Sequence, residues 1–151
     1  FAHSGTLDKF LGDGLMATFG TPHPLPDDAE RALACARDMA AEIASWNEQR
    51  KELGEPPLRA GIGLHFGPVV LGDIGDERRL EFAVIGDTVN VASRLEAMTR
   101  ELDVDVIVSN DVIARARQGG AGAIFEGLVE GAEAVVPGRN DPIAIWTLRA
   151  A

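Results

Sequence analysis

Two residues near the start of the sequence, Lys9 and Asp13, have types and a spacing that could bind a charged ligand. Asp13 lies between Gly12 and Gly14, in a break between two apolar runs. On an extended strand, positions 9, 11 and 13 share a face, so a cation and a carboxylate would line one edge of the same element. Glycines on both sides let a ligand approach the backbone closely. The alternative is an ordinary turn aspartate.

Asn90 and Arg94 form a second candidate pair, at the start of a predicted helix that follows Gly86. A spacing of four residues puts them one helical turn apart on the same face. An amide and a guanidinium near a helix N-terminus suit an anion, because free backbone N–H groups and the helix dipole add to the planar arginine fork. The alternative is a solvated helix face.

Short or alternating apolar runs predict the strands that position these residues. The predicted strands cover residues 7–11, 15–19, 58–71, 80–85, 104–109 and 143–148. The Asp13-Gly14 step predicts a hairpin between the first two, since a glycine supplies the positive φ of such a turn. Residues 73–79 are predicted as a polar loop. Residues 124–148 are predicted as a second hairpin with its turn at residues 137–142.

Apolar residues at helical spacing predict helices over residues 27–46, 87–102 and 111–117. Asp27 and Glu30 predict a capping box for the first helix. Asp87 or Thr88 is the predicted cap of the second, whose core positions are predicted as Val89, Ala92, Leu95 and Leu102. The order of elements favours an α+β fold, a ferredoxin-like sandwich with a mostly antiparallel sheet and helices on one face.

Composition limits the classes of partner. The chain has 151 residues, the length of a single domain, with a formal net charge of −10 and no Lys/Arg-rich stretch, which argues against a nucleic-acid partner. No apolar run approaches the roughly 20 residues that span a bilayer. Cys35 is the only cysteine, so a disulfide framework is excluded and a reduced, cytoplasmic location is expected.

Three segments, in this order along the chain, resemble the class III nucleotide cyclase catalytic domain: residues 5–14 (GTLDKFLGDG), 61–67 (GIGLHFG) and 84–96 (VIGDTVNVASRLE). The third is highly specific, and residues 137–142 (PGRNDP) resemble the family's final turn. The resemblance therefore covers nearly the whole chain. It implies an adenylate cyclase, a lyase that converts ATP to 3′,5′-cyclic AMP and pyrophosphate, with sites shared across a homodimer.

The resemblance also implies a role for each candidate residue. Asp13 matches one of two aspartates that hold a pair of divalent cations, Mg²⁺ or Mn²⁺. Lys9 matches the residue that reads the purine, where Lys accompanies ATP and Glu accompanies GTP. Asn90 matches the residue that orients the ribose. Arg94 matches the residue that stabilises charge on the α-phosphate while the ribose 3′-oxygen attacks it.

The sequence departs from the family pattern in three places. The family's first strand, two helices and other metal aspartate have no counterpart in it, so residues 1–151 are expected to be the C-terminal portion of a catalytic domain and inactive alone. Ala83 falls on a second purine-reading position and cannot hydrogen-bond, which leaves the preference for ATP over GTP to Lys9. A basic residue that contacts the terminal phosphates in relatives aligns with Pro137, and Arg139 is the substitute.

Other interpretations stay open beside the enzyme. The leading alternative is a catalytically inactive cyclase-like module that senses nucleotides or dimerises, motivated by Ala83 and the missing first strand. A diguanylate cyclase is weaker, since its hairpin reads Gly-Gly-Asp/Glu-Glu-Phe. A dinucleotide-binding fingerprint at residues 12–17 is disfavoured because a strand, and not a helix, follows it. An upstream sensor or regulatory domain is expected in the parent protein, which could be attached to a membrane.

Overall fold

The computed structural model describes residues 1–77, 79–120 and 122–150, which form eight strands, three α-helices and a short 3₁₀ helix. The strands are β1 (Thr6–Leu11), β2 (Gly14–Thr18), β3 (Ile62–Leu64), β4 (Val70–Asp76), β5 (Arg79–Ile85), β6 (Val106–Ser109), β7 (Val129–Ala134) and β8 (Ile143–Leu148). The helices are α1 (Asp28–Glu52), α2 (Asp87–Leu102) and α3 (Asn110–Arg117), with the 3₁₀ turn at Ala123–Phe125.

The described strands form three sheets. A four-stranded sheet has the order β3-β6-β8-β7, in which β3 runs parallel to β6 and the other pairs are antiparallel. The strands β1 and β2 form a separate antiparallel hairpin, and β4 and β5 form another. The predicted α+β class with mostly antiparallel pairing is therefore confirmed.

The core lies on both faces of β6. Val106 and Val108 pack in one apolar cluster with residues of α1 and α3, whereas Ile107 packs in a second cluster with residues of α2. Successive side chains of a strand point to opposite faces, so an apolar residue at each position lets β6 be buried on both sides. The helices thus lie on both faces of the sheet, which differs from the expected arrangement on one face.

The helix α2 packs directly on the backbone next to and within β3, where two glycines leave room for it. A Cβ added at Gly63 would overlap the backbone nitrogen of Glu96 and lie 2.5 Å from the carbonyl oxygen of Ala92. A Cβ added at Gly61 would overlap the hydroxyl of Thr99. The helix α2 therefore packs against the glycine-lined side of this segment.

The beginning of each long helix differs from the prediction. Asp27 is the N-cap of α1, but its side chain makes no capping hydrogen bond, so the predicted capping box is not formed. The N-cap of α2 is Gly86, and neither Asp87 nor Thr88 caps the helix. The hydroxyl of Thr88 instead donates to the carbonyl of Pro68.

Several predicted boundaries and part of one predicted core were wrong. The first helix continues beyond residue 46 to Glu52, because helix-favouring residues extend to that point. Residues 58–71 hold the separate strands β3 and the start of β4, and β4 continues through most of the predicted loop 73–79. Leu95 is buried in the core of α2 as predicted, whereas Val89, Ala92 and Leu102 are not buried. The other buried apolar residues of this helix are Val91 and Met98. No helix among the described residues is both long and apolar enough to span a membrane.

Candidate active site

The β1–β2 hairpin carries Lys9 and Asp13 and confirms the predicted hairpin. Leu11 pairs with Gly14, so Gly12 and Asp13 are the two turn residues. The positive φ belongs to Gly12, at 65°, and not to Gly14 as the Asp-Gly step suggested. Asp13 is exposed at this turn, and Lys9 lies four residues before it on β1. A carboxylate and an ammonium group are therefore presented on one exposed hairpin.

The helix α2 carries Asn90, which is exposed, and Arg94, which is half-buried, one turn apart as predicted. Val91 and Leu95, the residues that follow each of them, are fully buried against the central sheet. Asn90 is exposed, and no hydrogen bond of its side chain is found within the described part of the chain. The helix therefore holds the two polar side chains one turn apart on a rigid support.

The guanidinium of Arg94 is held by two groups. Its Nη1 and Nη2 donate to the two carboxylate oxygens of Glu101 at 2.8 and 3.4 Å, and its Nε donates to the carbonyl of Val135 at 3.2 Å. The Nε contact fixes one edge of the guanidinium, and the Nη atoms face a carboxylate. The guanidinium of Arg94 is thus already paired with a carboxylate of the same chain.

Arg139 is tied to the first turn of α2. It lies in the turn between β7 and β8, and its Nη1 is 2.5 Å from the Oδ2 of Asp87. Pro137, in the same turn, is exposed and offers no donor. Arg139 is therefore the basic side chain that this turn brings next to the N-terminus of α2.

Ala83 is on β5, opposite Gly72 of β4. It is buried, and its methyl group has no hydrogen-bonding atom. This position therefore offers a base no polar side-chain contact.

The candidate residues fall into separate groups. Among the described residues, no hydrogen bond or ion pair joins the β1–β2 hairpin to α2. One group comprises Lys9 and Asp13, and the other comprises Asn90, Arg94 and Arg139. Within the described part of the chain, the candidate residues of the hairpin and those beside α2 are therefore not linked by a polar contact.

The fit of Asp13 to a metal ion is partial. The described residues contain no group of three or more His, Cys, Asp or Glu side chains that could hold a metal ion. An exposed carboxylate is nevertheless the donor that Mg²⁺ prefers, and Mg²⁺ is often held by one or two carboxylates together with phosphate oxygens and waters. Asp13 therefore suits a metal site of which it is one ligand.

A cleft of about 520 Å³ lies beside the first turn of α2, lined in part by His65, Asp111 and Arg139. The Nδ1 of His65 is 2.8 Å from the hydroxyl of buried Ser109 and 3.9 Å from the carboxylate of Asp111. Burial lowers the pKa of His65, and the nearby Asp111 opposes that shift. A larger groove, of about 670 Å³, lies between α1 and the end of β8, and none of the candidate residues lines it.

Sequence reasoning missed Glu101 and Asp8, the acidic partners of Arg94 and Lys9. Glu101 could have been found, because residues seven apart on a helix lie on the same side two turns apart. Asp8 could not, because strand alternation places neighbouring residues on opposite faces.

The sequence model of the family described as "Adenylate and Guanylate cyclase catalytic domain" matches residues 7–144. Adenylate cyclase 1 of Rhizobium meliloti is 36% identical over 116 residues, which are 77% of this chain and 17% of that protein. An adenylate cyclase of Anabaena cylindrica is 34% identical over 113 residues, which are 72% of this chain and 22% of that protein. The chain thus spans only a small part of the length of these curated relatives.

Solved structures show the same fold. The guanylyl cyclase Cya2 has a TM-score of 0.76 and 34% identity, and the match covers 97% of this chain and 70% of that one. The adenylyl cyclase CyaB from P. aeruginosa has a TM-score of 0.78 at 23% identity, over 99% of this chain and 74% of that one, which supports the fold alone. The chain belongs to the adenylate and guanylate cyclase catalytic domain family.

Proposed function

We propose that residues 1–151 are the C-terminal portion of a nucleotide cyclase catalytic domain that converts ATP to 3′,5′-cyclic AMP and pyrophosphate. The observation that carries this proposal is α2, which presents Asn90 and Arg94 one turn apart on a helix anchored by Val91 and Leu95. This helix lies within the matched segment, and curated adenylate cyclases are among the relatives.

Arg94 binds the α-phosphate in this proposal. Its Nε bond to the carbonyl of Val135 keeps one edge of the guanidinium in place, while the Nη atoms exchange the carboxylate of Glu101 for phosphate oxygens. Two parallel N–H donors match the geometry of a phosphate. As charge develops on the α-phosphate during attack, these fixed donors stabilise it more than they stabilise the ground state. Asn90, one turn earlier, orients the ribose.

Lys9 selects ATP in this proposal. A lysine ammonium donates three hydrogen bonds and accepts none, so it suits N1 of adenine, which is an acceptor, and not N1 of guanine, which carries a hydrogen. Ala83 adds no polar contact to this selection. GTP is the substrate that an experiment must exclude, because the guanylyl cyclase Cya2 is 34% identical to this chain.

Asp13 contributes one carboxylate to a site for divalent cations, Mg²⁺ or Mn²⁺. Bound cations would supply Lewis-acid stabilisation of the phosphates and acidify the attacking hydroxyl. The exposed turn places the Asp13 carboxylate where a nucleotide can reach it. The remaining ligands of such a site come from outside the residues described.

The separate placement of Asp13 and of the pair Asn90 and Arg94 supports a homodimer. Lys9 and Asp13 are on the hairpin, and Asn90 and Arg94 are on α2, with no polar bond between the two elements among the described residues. In a dimer with two-fold symmetry, every contact between the two protomers occurs twice. If the hairpin of one protomer contacts α2 of its partner, α2 of the first protomer contacts the hairpin of the partner. Asp13 then serves one site, while Lys9, Asn90 and Arg94 of the same chain serve the other. We place this dimer in the cytoplasm, under the control of an upstream sensor or regulatory domain.

A cyclase assay on the full-length protein tests the proposed function. ATP and GTP are supplied separately with Mn²⁺ or Mg²⁺, and Asp13→Ala and Arg94→Ala are compared with Asp38→Asn, an exposed acidic residue on α1. We expect cyclic AMP from the wild type and the Asp38→Asn control, and almost none from the other two variants or from residues 1–151 alone. Cyclic GMP as the main product would contradict the role of Lys9.

The second candidate function is an inactive cyclase-like module that binds nucleotides or dimerises. Ala83 favours it, because its methyl group cannot form a hydrogen bond to a purine. A folded dimer that binds ATP but makes no cyclic nucleotide from either substrate would support this function and overturn the enzyme.

A further inference from the structure

The strand β1 contains a β-bulge at Asp8. Leu7 pairs with Ala17 and Lys9 pairs with Met16, so Asp8 is an extra residue with no partner on β2. In a regular strand, neighbouring side chains point to opposite faces, whereas a bulge turns the extra residue and re-aims its side chain. The bulge therefore allows Asp8 and Lys9 to approach each other although they are adjacent in the chain.

The carboxylate of Asp8 is buried beside the ammonium of Lys9. Its Oδ2 is 3.6 Å from the Nζ of Lys9, and the side chain of Asp8 is 6% exposed, against 45% for Lys9. The same oxygen has no hydrogen-bond partner among the described residues. A buried ionised carboxylate needs a compensating charge. In the described part of the chain, Lys9 is the basic side chain that forms an ion pair with Asp8.

We infer that Asp8 is a positioning residue that restrains the side chain of Lys9 and thereby sets the selection of the purine. This inference rests on the proposed role of Lys9 as the residue that reads the base. Asp8 is too buried to contact a nucleotide, so it acts through Lys9. Its carboxylate holds the ammonium at the hairpin, and the exposed part of Lys9 retains donors for the base.

The side-chain mobility of Lys9 tests this inference without any requirement for activity. Residues 1–151 contain two lysines, Lys9 and Lys51, and Lys51 is an exposed residue in the last turn of α1. In lysine-labelled full-length protein, NMR relaxation is measured at both side chains, with Lys9→Arg used to assign the Lys9 signal. We expect Asp8→Asn to lower the order parameter of Lys9 and to leave that of Lys51 unchanged. An unchanged Lys9 would overturn the inference.

A double-mutant cycle tests its consequence for specificity. Asp8→Asn should lower kcat/KM for ATP by about tenfold, mainly through KM, and should reduce the preference for ATP over GTP. In a Lys9→Ala background the same substitution should change kcat/KM by less than about twofold, because nothing is left to position. Asp38→Asn, which also removes one negative charge, should change neither. Additive effects of Asp8→Asn and Lys9→Ala would show a merely structural role and overturn the inference.

Stability supplies a test that holds even if Asp8→Asn does not fold. Lys9→Gln leaves the buried carboxylate without its partner, whereas Lys51→Gln removes the same charge from an exposed helix end. We expect Lys9→Gln to lower the melting temperature more than Lys51→Gln does, and equal effects would contradict the pairing. A wild type that turns over neither nucleotide would reject the proposed function, while mobility and stability would still decide whether Asp8 restrains Lys9.

Discussion

The β1–β2 hairpin and α2 both carry residues of the proposed sites, but the two elements are held in place in different ways. The hairpin exposes three large apolar side chains, with Phe10 at 72%, Leu11 at 55% and Leu15 at 51% of their surface. The helix α2 buries Val91 and Leu95 completely. The helix that carries Asn90 and Arg94 is therefore anchored in the core of the chain, whereas the hairpin that carries Lys9 and Asp13 is not.

This difference indicates that the hairpin, and not α2, needs a surface of the partner to pack against. A two-stranded hairpin is marginally stable by itself in water, so the positions of Lys9 and Asp13 depend on what packs against its apolar side chains. The positions of Asn90 and Arg94 are set within the chain by the contact of α2 with β3. We expect Asn90 and Arg94 on α2 to be preorganised, and we expect Lys9 and Asp13 on the hairpin to reach their final positions when the protomers assemble.

The largest expected effect on activity comes from Arg94, on the preorganised helix α2. Arg94→Ala should lower kcat by about 10²- to 10³-fold, because it removes fixed donors from the developing charge on the α-phosphate. The control is Arg100→Ala on the same helix, an exposed arginine that pairs with Glu96. Steady-state kinetics of the full-length protein measure both. Equal losses in the two variants would show that position on the helix does not matter.

The packing of α2 can be broken without touching a polar residue. Gly63→Ala should destabilise the fold by at least about 3 kcal/mol, because the new methyl group meets backbone atoms of α2 that cannot turn away. Gly72→Ala is the matched control, since a Cβ there has nothing within 4 Å. Chemical denaturation measures both, and a Gly63→Ala variant as stable as Gly72→Ala would refute the close contact.

A smaller effect concerns the engaged guanidinium of Arg94. Glu101 occupies the Nη atoms that the proposed function assigns to phosphate. The pair is partly exposed, so Glu101→Gln should lower KM for ATP by about two- to fivefold with little change in kcat. Glu96→Gln, next to Arg100, is the control. A raised KM would mean that Glu101 positions Arg94 and does not compete with the nucleotide.

The smallest effect is on the pH dependence of stability. Burial lowers the pKa of His65 below its ordinary value of 6.5, against the opposing charges of Asp111 and Asp87 and together with that of Arg139. As the pH falls, His65 therefore takes up a proton at a higher pH in the unfolded chain than in the folded chain. The stability that depends on neutral His65 is fully present above pH 6.5 and is lost as the pH falls below that value. His65→Asn should flatten the fall in melting temperature between neutral and acid pH. An unchanged pH profile would contradict the assignment.

The sequence allowed α2 and the hairpin turn to be predicted, because a helical period after Gly86 and a glycine–aspartate turn are local signals. It did not identify the buried stripe of α2. Two overlapping apolar stripes run along this helix. Val91, Leu95 and Met98 are buried because they pack against apolar residues of β6, β7 and β8, whereas the backbone of Ala92 and Glu96 lies against Gly63. Local periodicity cannot distinguish between the two stripes.

The ion-pair partners of the candidate residues depend on features that are not local. The bulge at Asp8 changes the face of a single side chain, and strand alternation gives no sign of it. The contact between Arg139 and Asp87 joins residues far apart in the chain through the turn between β7 and β8. The roles of Lys9, Asp13, Asn90 and Arg94 stay predictions, because they rest on a resemblance and on placement in the fold.

Mixing two inactive variants tests most directly whether Asp13 of one protomer and Arg94 of its partner act in one site. Full-length Asp13→Ala and Arg94→Ala are each expected to lack activity, since each damages both sites of its own homodimer. In an equal mixture that exchanges subunits, about half of the dimers are heterodimers, and one of the two sites in each heterodimer is intact. Activity should therefore recover to about a quarter of the wild-type value. No recovery, with heterodimers demonstrated, would contradict a site shared between two chains.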